Sequence, residues 1–521
     1  MKRSTFIYAA MLAGTFASSW AVAQGTLTYP ISADPENLNV WRSRTVEATR
    51  VLENICDSLT TLEAETGEVI PELAESWQIS DDGLVYTFKL RQGVLFHNVA
   101  GVTYENREMT AEDVVWSWSR FLTEESTNPE RVLSVKGAEA YLNGEADTVE
   151  GLRVVDDYTL EITLEQPSHR FLADLIFAYI VPEEAVAALG DDIAIQPVCT
   201  GPFTLERWNR DSEIILAANP DYWEQGYPKL ERVRFLNVPQ EATALLQYRQ
   251  GELDMLYDIP AAQLAAVREE FADEYRELPG LGTAYWGFAM TGDVFGDNPA
   301  LRKAFNYAVD RELIWNVLME GSQLPGTAGV LPPQMPAADV PGYEYDVEKA
   351  REMLAEAGYP EGEGLEPIAL WYMSDGEDAI QVAFQEMLGE IGVTIELQKA
   401  DPSTYWDRIR EPDVHLFQSG WTSNLPDPSE VFDFLFAHGR DTTLYDKPKV
   451  NELLAKATAT VDADERNLIY KQVHDIIMED APWIVSSYSI ISYLQKPYVE
   501  NFQVSSVGLH LAPLKYVEIN R

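Results

Sequence analysis

The sequence is poor in cysteine, histidine and positive charge. Only Cys56 and Cys199 occur in 521 residues, and no CxxC or Cys/His cluster with zinc spacing is present. Neither a dithiol redox motif nor a structural metal site is supported. The six histidines are scattered, with no partner at a helix-face spacing that would make a ligand set. His97 reads as a structural histidine. P-loop, strand-linked G-x-G-x-x-G, H-E-x-x-H and G-x-S-x-G signatures are all missing. With 85 acidic residues, carboxylate pairs arise by chance and no single pair earns an acid/base role. Against these acids stand 38 Lys and Arg, a formal charge of −47 that opposes nucleic acid as a partner. The acidity reads as a solvated surface. No fixed-period repeat or low-complexity linker interrupts the chain.

What is present begins with Lys2 and Arg3, an apolar stretch from Phe6 to about Phe16, and Ala21-Val22-Ala23 before Gln24. This is the pattern of a signal peptide, residues 1–23, cleaved after Ala23. Thr15, Ser18 and Ser19 interrupt the run, against a membrane anchor, and no cysteine stands at the cleavage point to take a lipid. A periplasmic protein without a lipid anchor is expected. The remaining 498 residues exceed what one core organises, so two or three domains are expected. In an oxidising compartment the two cysteines form either one disulfide or two buried thiols, and their spacing leaves the choice open.

Thr26 to Tyr29 reads as a strand and Thr45 to about Leu59 as a helix. Tyr86 to Leu90 and Tyr158 to Leu164 alternate with the period of half-buried strands. Thr110 to Asp113 fits a helix N-cap ahead of Val114 to Phe121. Further on, Ala300–Met319, Val347–Ala357, Ala379–Ile391 and Arg466–Met478 read as amphipathic helices. Ile368 to Tyr372 and Val393 to Gln398 read as strands, and Ile484 to about Val517 as short β-like pieces. The chain is α/β, with two lobes.

Several segments carry a resemblance. PELAESWQISDDGLVYTFKLRQGVLFHN from Pro71 is followed by MTAEDVVWSWSRF from Met109, TGPF from Thr200, NPDYW from Asn219 and GELDM from Gly251. RKAFNYAVDRELI from Arg302, KAREMLAEAGYPEG from Lys349 and GW…PDP from Gly420 to Pro428 complete the series. In this order they resemble the family 5 solute-binding proteins of ABC importers, the dipeptide-, oligopeptide- and nickel-binding group. Trp77, Phe88 and Phe96 in these motifs read as core, and Gly201-Pro202 as a turn.

The resemblance implies a two-lobe periplasmic-binding-protein (Venus-flytrap) fold with an extra subdomain and two crossing strands, near Tyr285 to Met290 and Ser486 to Ser489. Lobe I would span 24–284 with an insert at about 60–186, lobe II 285–487, and 488–521 would return to lobe I. It implies a binding protein, not an enzyme: a monomer with no cofactor or metal that delivers a peptide-like small molecule to a membrane permease. An opine, sugar conjugate or metal chelate is the alternative ligand, and a secreted hydrolase or a holding role for extended chains the alternatives of another class. The ligand residues it implies are Trp421 and Asn424, then Tyr285 and Trp286, then Tyr405 and Trp371. Arg42 and Arg44 could meet an anionic group. A disulfide between Cys56 and Cys199 inside lobe I is implied too, against two inert thiols.

Dipeptide-binding relatives are known for a carboxylate in GW-x-x-D that meets the ligand ammonium, and the matching residue here is Asn424. Asp427 could replace it. After Trp371 the chain offers Asp375, Glu377 and Asp378 but no arginine. A ligand that is longer, capped or non-peptidic, with a cationic part toward these acids, is therefore expected in place of a free dipeptide.

Overall fold

The computed structural model describes residues 25–521 apart from 105, 374–377, 412 and 440–441. The signal-peptide expectation, and the acids Asp375 and Glu377, lie outside the described residues. Among the described residues no helix is long and apolar enough to cross a membrane.

A four-stranded sheet runs Thr26–Ile31, Arg232–Asn237, Glu213–Ala218, Phe203–Asn209, its first pair parallel and the others antiparallel. An antiparallel sheet of Ala74–Ile79, Val85–Leu90, Thr159–Thr163 and Leu152–Asp156 shares one continuous apolar core with it, around Tyr29, Phe88, Trp118 and Phe235. The helix Ala111–Phe121 covers this core and opens with a capping box between Thr110 and Asp113.

A seven-stranded sheet forms the second lobe and the connection to it. Its order is Met255–Tyr257, Trp483–Gln495, Tyr275–Phe288, Leu416–Thr422, Ile368–Met373, Ile395–Ala400, with Leu324–Pro325 paired to Trp483–Gln495. The two long antiparallel strands run between the lobes. Their period of two divides their side chains between two cores. Tyr285, Trp483 and Val485 pack with Phe417, Phe432 and Tyr470, whereas Trp286, Phe288 and Ile484 pack with Phe305, Phe384 and Leu388. The C-terminal region expected as short pieces from Ile484 thus begins with one 13-residue strand.

The first helix is Val46–Leu52, shorter than its sequence pattern. The carbonyls of Asn54 and Ile55 accept from Phe203 and Gly201 N–H at 3.0 and 2.9 Å, so this stretch is drawn into pairing with the Thr200–Phe203 segment. A Cβ at Gly201 would collide with the Ile55 carbonyl, which is why the approach needs glycine. Cys56 and Cys199 are joined by a disulfide beside this contact. The predicted helix over 300–319 is also broken. It ends at Ala308, Val309 is extended, and a wider helical turn covers Leu313–Leu318. Buried Arg311 sits in the break and donates to the carbonyls of Asn306, Val309 and Val485.

Candidate functional site

The loop after Leu416–Thr422 carries the second lobe's contribution. Trp421 is half-buried and stacks on Phe434 with ring centroids 5.7 Å apart. Its indole N–H and the Ser423 hydroxyl are both shielded from water and have no protein partner among the described residues. Asn424 is exposed, and its backbone N–H donates to Glu430 at 3.1 Å.

Asp427 is occupied differently from the sequence expectation. Its carboxylate accepts from the Ser429 N–H at 2.8 Å and lies 3.4 Å from Nε2 of His169, which follows the strand Thr159–Thr163. Burial opposes its ionisation, but the His169 contact and the Ser429 bonds outweigh it and hold the carboxyl below its ordinary range. Next to it Arg170 pairs with Glu430 at 2.6 Å and with Asp174 at 3.2 Å. Two consecutive residues of the first lobe therefore grip the loop that presents Trp421 and Asn424.

The other sequence candidates are placed elsewhere. Tyr285 is stacked face to face on Trp483, with centroids 3.6 Å apart, inside the second lobe. Trp286 is 1% exposed, covers Phe384 and donates to Gln381 at 2.8 Å. Tyr405 is fully buried and donates to the Gln418 carbonyl. These three are core residues: the alternation that makes a crossing strand also aims its rings into the two flanking cores. Trp371 is half-buried with Arg408 over its ring at 4.9 Å. Arg42 and Arg44 are exposed and paired with Glu125 and Glu130 at 3.3 and 3.5 Å. Asp378 pairs with Lys399 at 2.7 Å. Of the candidates, Asn424 and Asp427 share the loop that follows Leu416–Thr422, Trp421 ends that strand, and Trp371 lies on the strand paired with it.

Two features of the first lobe escaped sequence reading. One is a groove lined by Ser32, Glu241, Tyr257 and Asp258, at the C-terminal ends of the parallel strands Thr26–Ile31 and Arg232–Asn237. Its volume, about 20 Å³, is that of a single water site. The other is a cavity of about 370 Å³ walled by Glu53, Asp57, Thr61, Glu72, Gln503 and Lys515, within the range of small-molecule pockets. Asp57 accepts from Trp223 Nε1 at 2.9 Å, Thr200 Oγ1 at 3.1 Å and Tyr222 OH at 3.3 Å. Lys515 pairs with Glu224 at 2.8 Å, and burial's pull against its charge is outweighed by Glu72 and Asp57, which hold its pKa above the ordinary value.

Burial pushes the Glu53 carboxyl up to about 8, with Asp57 adding to it and the Tyr179 hydrogen bond and Lys515 opposing it. Between its ordinary value of 4.5 and about 8, the folded protein holds a proton that the unfolded chain has released. That contribution to stability is complete at acidic pH and is lost as the pH rises through 8. Cavity water partly screens the largely buried side chain, so the expected loss between about pH 5 and pH 8.5 is roughly 2 kcal/mol. Urea unfolding across this range should show it, and Glu53→Gln should flatten the slope. An unchanged slope in the variant would remove Glu53 from the explanation.

Residues 68–443 match the family described as bacterial extracellular solute-binding proteins, family 5 Middle. The glutathione-binding protein GsiB of Salmonella typhimurium is 33% identical over 429 residues, 79% of each chain. The dipeptide-binding protein of Escherichia coli K12 is 28% identical over 523 residues, 96% of each. Among solved structures, the periplasmic binding protein DppA from Helicobacter pylori, in complex with the peptide STSA, superposes with a TM-score of 0.74 at 26% identity, covering 95% of this chain and 98% of its own.

Proposed function

Because the chain belongs to family 5 of the bacterial extracellular solute-binding proteins, we propose that it is the periplasmic binding component of an ABC importer and captures a peptide or peptide-like solute. The observation that carries this reading is the two-strand connection: separately cored lobes linked by Tyr275–Phe288 and Trp483–Gln495. Lobes hinged on two strands gain ligand contacts on both sides only when closed, so ligand shifts the population toward a closed form that a permease can read. The reading takes lobe I as 24–284, lobe II as 285–487 and 488–521 as the return, in a monomer that binds without turnover.

The ligand we favour is longer than a dipeptide, or capped. Asn424 offers no charge to an α-ammonium group, Asp427 is committed to His169 and Ser429, and Asp378 to Lys399. An ammonium buried there would lack its counter-ion. Mass spectrometry of the small molecule retained on purification identifies the ligand. Trp421→Ala should then weaken its binding about 10- to 100-fold in a calorimetric titration, as loss of an aromatic face does. Unchanged affinity would take Trp421 out of the site, and product formation from the bound solute would favour a hydrolase.

A further inference from the structure

The cavity of about 370 Å³ in the first lobe has acids at two depths. Glu53 and Glu72 line it as largely buried side chains, and Glu63 and Glu65 as exposed ones on the turn between Thr60–Leu62 and Val69–Pro71. The only base among the described residues that line it is Lys515. That lysine is committed elsewhere: it pairs with Glu224 at 2.8 Å, donates to the Tyr222 hydroxyl at 3.2 Å, and acts on Glu53 and Glu72 from beyond ion-pair distance. Asp57 is taken up by its three donors. Glu53 accepts from the Tyr179 hydroxyl at 3.0 Å, and Glu72 from the Ser58 N–H at 3.0 Å. Among the described residues neither has an ion-pair partner, and each keeps a carboxylate oxygen that no hydrogen bond takes.

Five lining acids, Asp57 included, thus face one committed base. Burial pushes the Glu53 and Glu72 carboxyls up and favours their protonated forms. A cation entering the cavity would take the place of those protons. Among the described residues no three carboxylates or imidazoles converge as the ligands of a metal do. The acids are instead spread along the wall, and Leu62, Ile70 and Pro202 supply apolar surface beside them. This arrangement suits a cation on an apolar stem, and the volume is that of a small organic molecule. Gly67, in the turn that carries Glu63 and Glu65, lies so close to Pro426 that a Cβ would stand 3.0 Å from its ring. One wall of the cavity therefore borders the loop after Trp421.

We propose that this cavity binds a primary ammonium group on a short aliphatic chain, paired with Glu53 and Glu72. A free amine and a lysine side chain of the captured solute carry that group alike. The second source rests on the peptide-like reading above, and the first does not.

Calorimetric titrations with 1,4-diaminobutane, and with two tripeptide mixtures that differ only in a central lysine or norleucine, separate the sources. Saturable binding of the diamine assigns the free amine; a preference of about tenfold or more for lysine over norleucine assigns the side chain. Glu53→Gln/Glu72→Gln should lose about tenfold or more of whichever response wild type shows. Wild-type affinity should rise about tenfold from pH 6 to pH 8.5, because Glu53 and Glu72 ionise to pair while an amine stays charged below about pH 10. Asp57, Lys515 and Tyr179 are the other charged or titratable groups that act on these two acids. Glu63→Gln/Glu65→Gln, at exposed positions, should weaken binding about threefold at low salt. Absence of both responses in wild type overturns the inference, and so does a response that survives in Glu53→Gln/Glu72→Gln. Should that variant not fold, a wild-type affinity that does not change with pH overturns it. Peptides bound without a lysine preference, and no diamine bound, overturn it while leaving the peptide reading intact. Diamine bound without either peptide mixture overturns the peptide reading and leaves this inference standing.

Discussion

Arg170→Ala is expected to cost about 3–5 kcal/mol of stability, the range for removing one partner of a buried pair. Arg170 and Glu430 have side-chain exposures of 19% and 4%, too low for water to screen either charge fully. The same guanidinium reaches Asp174 and the Ser429 hydroxyl at 3.2 Å each and lies over the Phe434 ring at 5.7 Å. Its loss leaves two carboxylates facing each other. Glu430 also accepts the Asn424 N–H, and Phe434 backs Trp421, so the damage reaches the loop that carries the second lobe's ligand candidates. Glu430→Gln alone should cost less, because the arginine keeps Asp174. In the double variant the buried unpaired charge is gone, and part of the Arg170→Ala loss should return. Urea unfolding of the four proteins gives the coupling; strictly additive losses would mean that the pair carries no interaction of its own.

Why some of this was legible in the sequence and some was not follows from where each residue's partners lie. Tyr86 to Leu90 could be placed because alternation is local, and Ala111–Phe121 because Thr110 and Asp113 cap it from three residues apart. The first crossing strand was expected near Tyr285 to Met290 but runs Tyr275–Phe288, and its earlier half contains Pro279, Gly280 and Gly282, residue types that usually weaken a strand. They sit at a register shift between Pro279 and Thr283, where a Cβ at either glycine would press on Ser489 Oγ, and Gly282 N–H donates to that same oxygen at 2.8 Å. Close crossing of strands explains them.

The aromatic candidates differ in where their partners lie. Tyr285, Trp286 and Tyr405 supply core volume, whereas Trp421 lies just before the chain leaves its strand. The burial of Arg50 gave no signal in the sequence. One arginine in a short amphipathic helix reads as a solvent-facing residue, and its burial depends on Tyr257, 207 positions away. The grip of His169 and Arg170 on Asp427 and Glu430 is likewise a contact across more than 250 residues.

The other large effect belongs to the disulfide. Cys56 and Cys199 lie 143 positions apart and bracket a segment that includes the whole antiparallel sheet Ala74–Ile79 to Thr159–Thr163, so the bridge ties the entrance of this region to its exit. Closing a loop of that length removes conformational freedom mainly from the unfolded chain, with about 5 kcal/mol as the chain-entropy figure and roughly 2–5 kcal/mol as the usual loss on removal. Cys56→Ala/Cys199→Ala should therefore unfold at lower urea, and with a steeper dependence on urea, because an uncrosslinked chain exposes more surface when it opens. The steeper slope separates this origin from a simple packing defect, which would move the midpoint alone. Both sulfurs are buried, so reductant should act slowly on the native protein and quickly once urea opens it. Thiol titration under denaturing, non-reducing conditions should find no free thiol before reduction and two after it. Two free thiols at the outset would remove the bridge, and with it the expected loss.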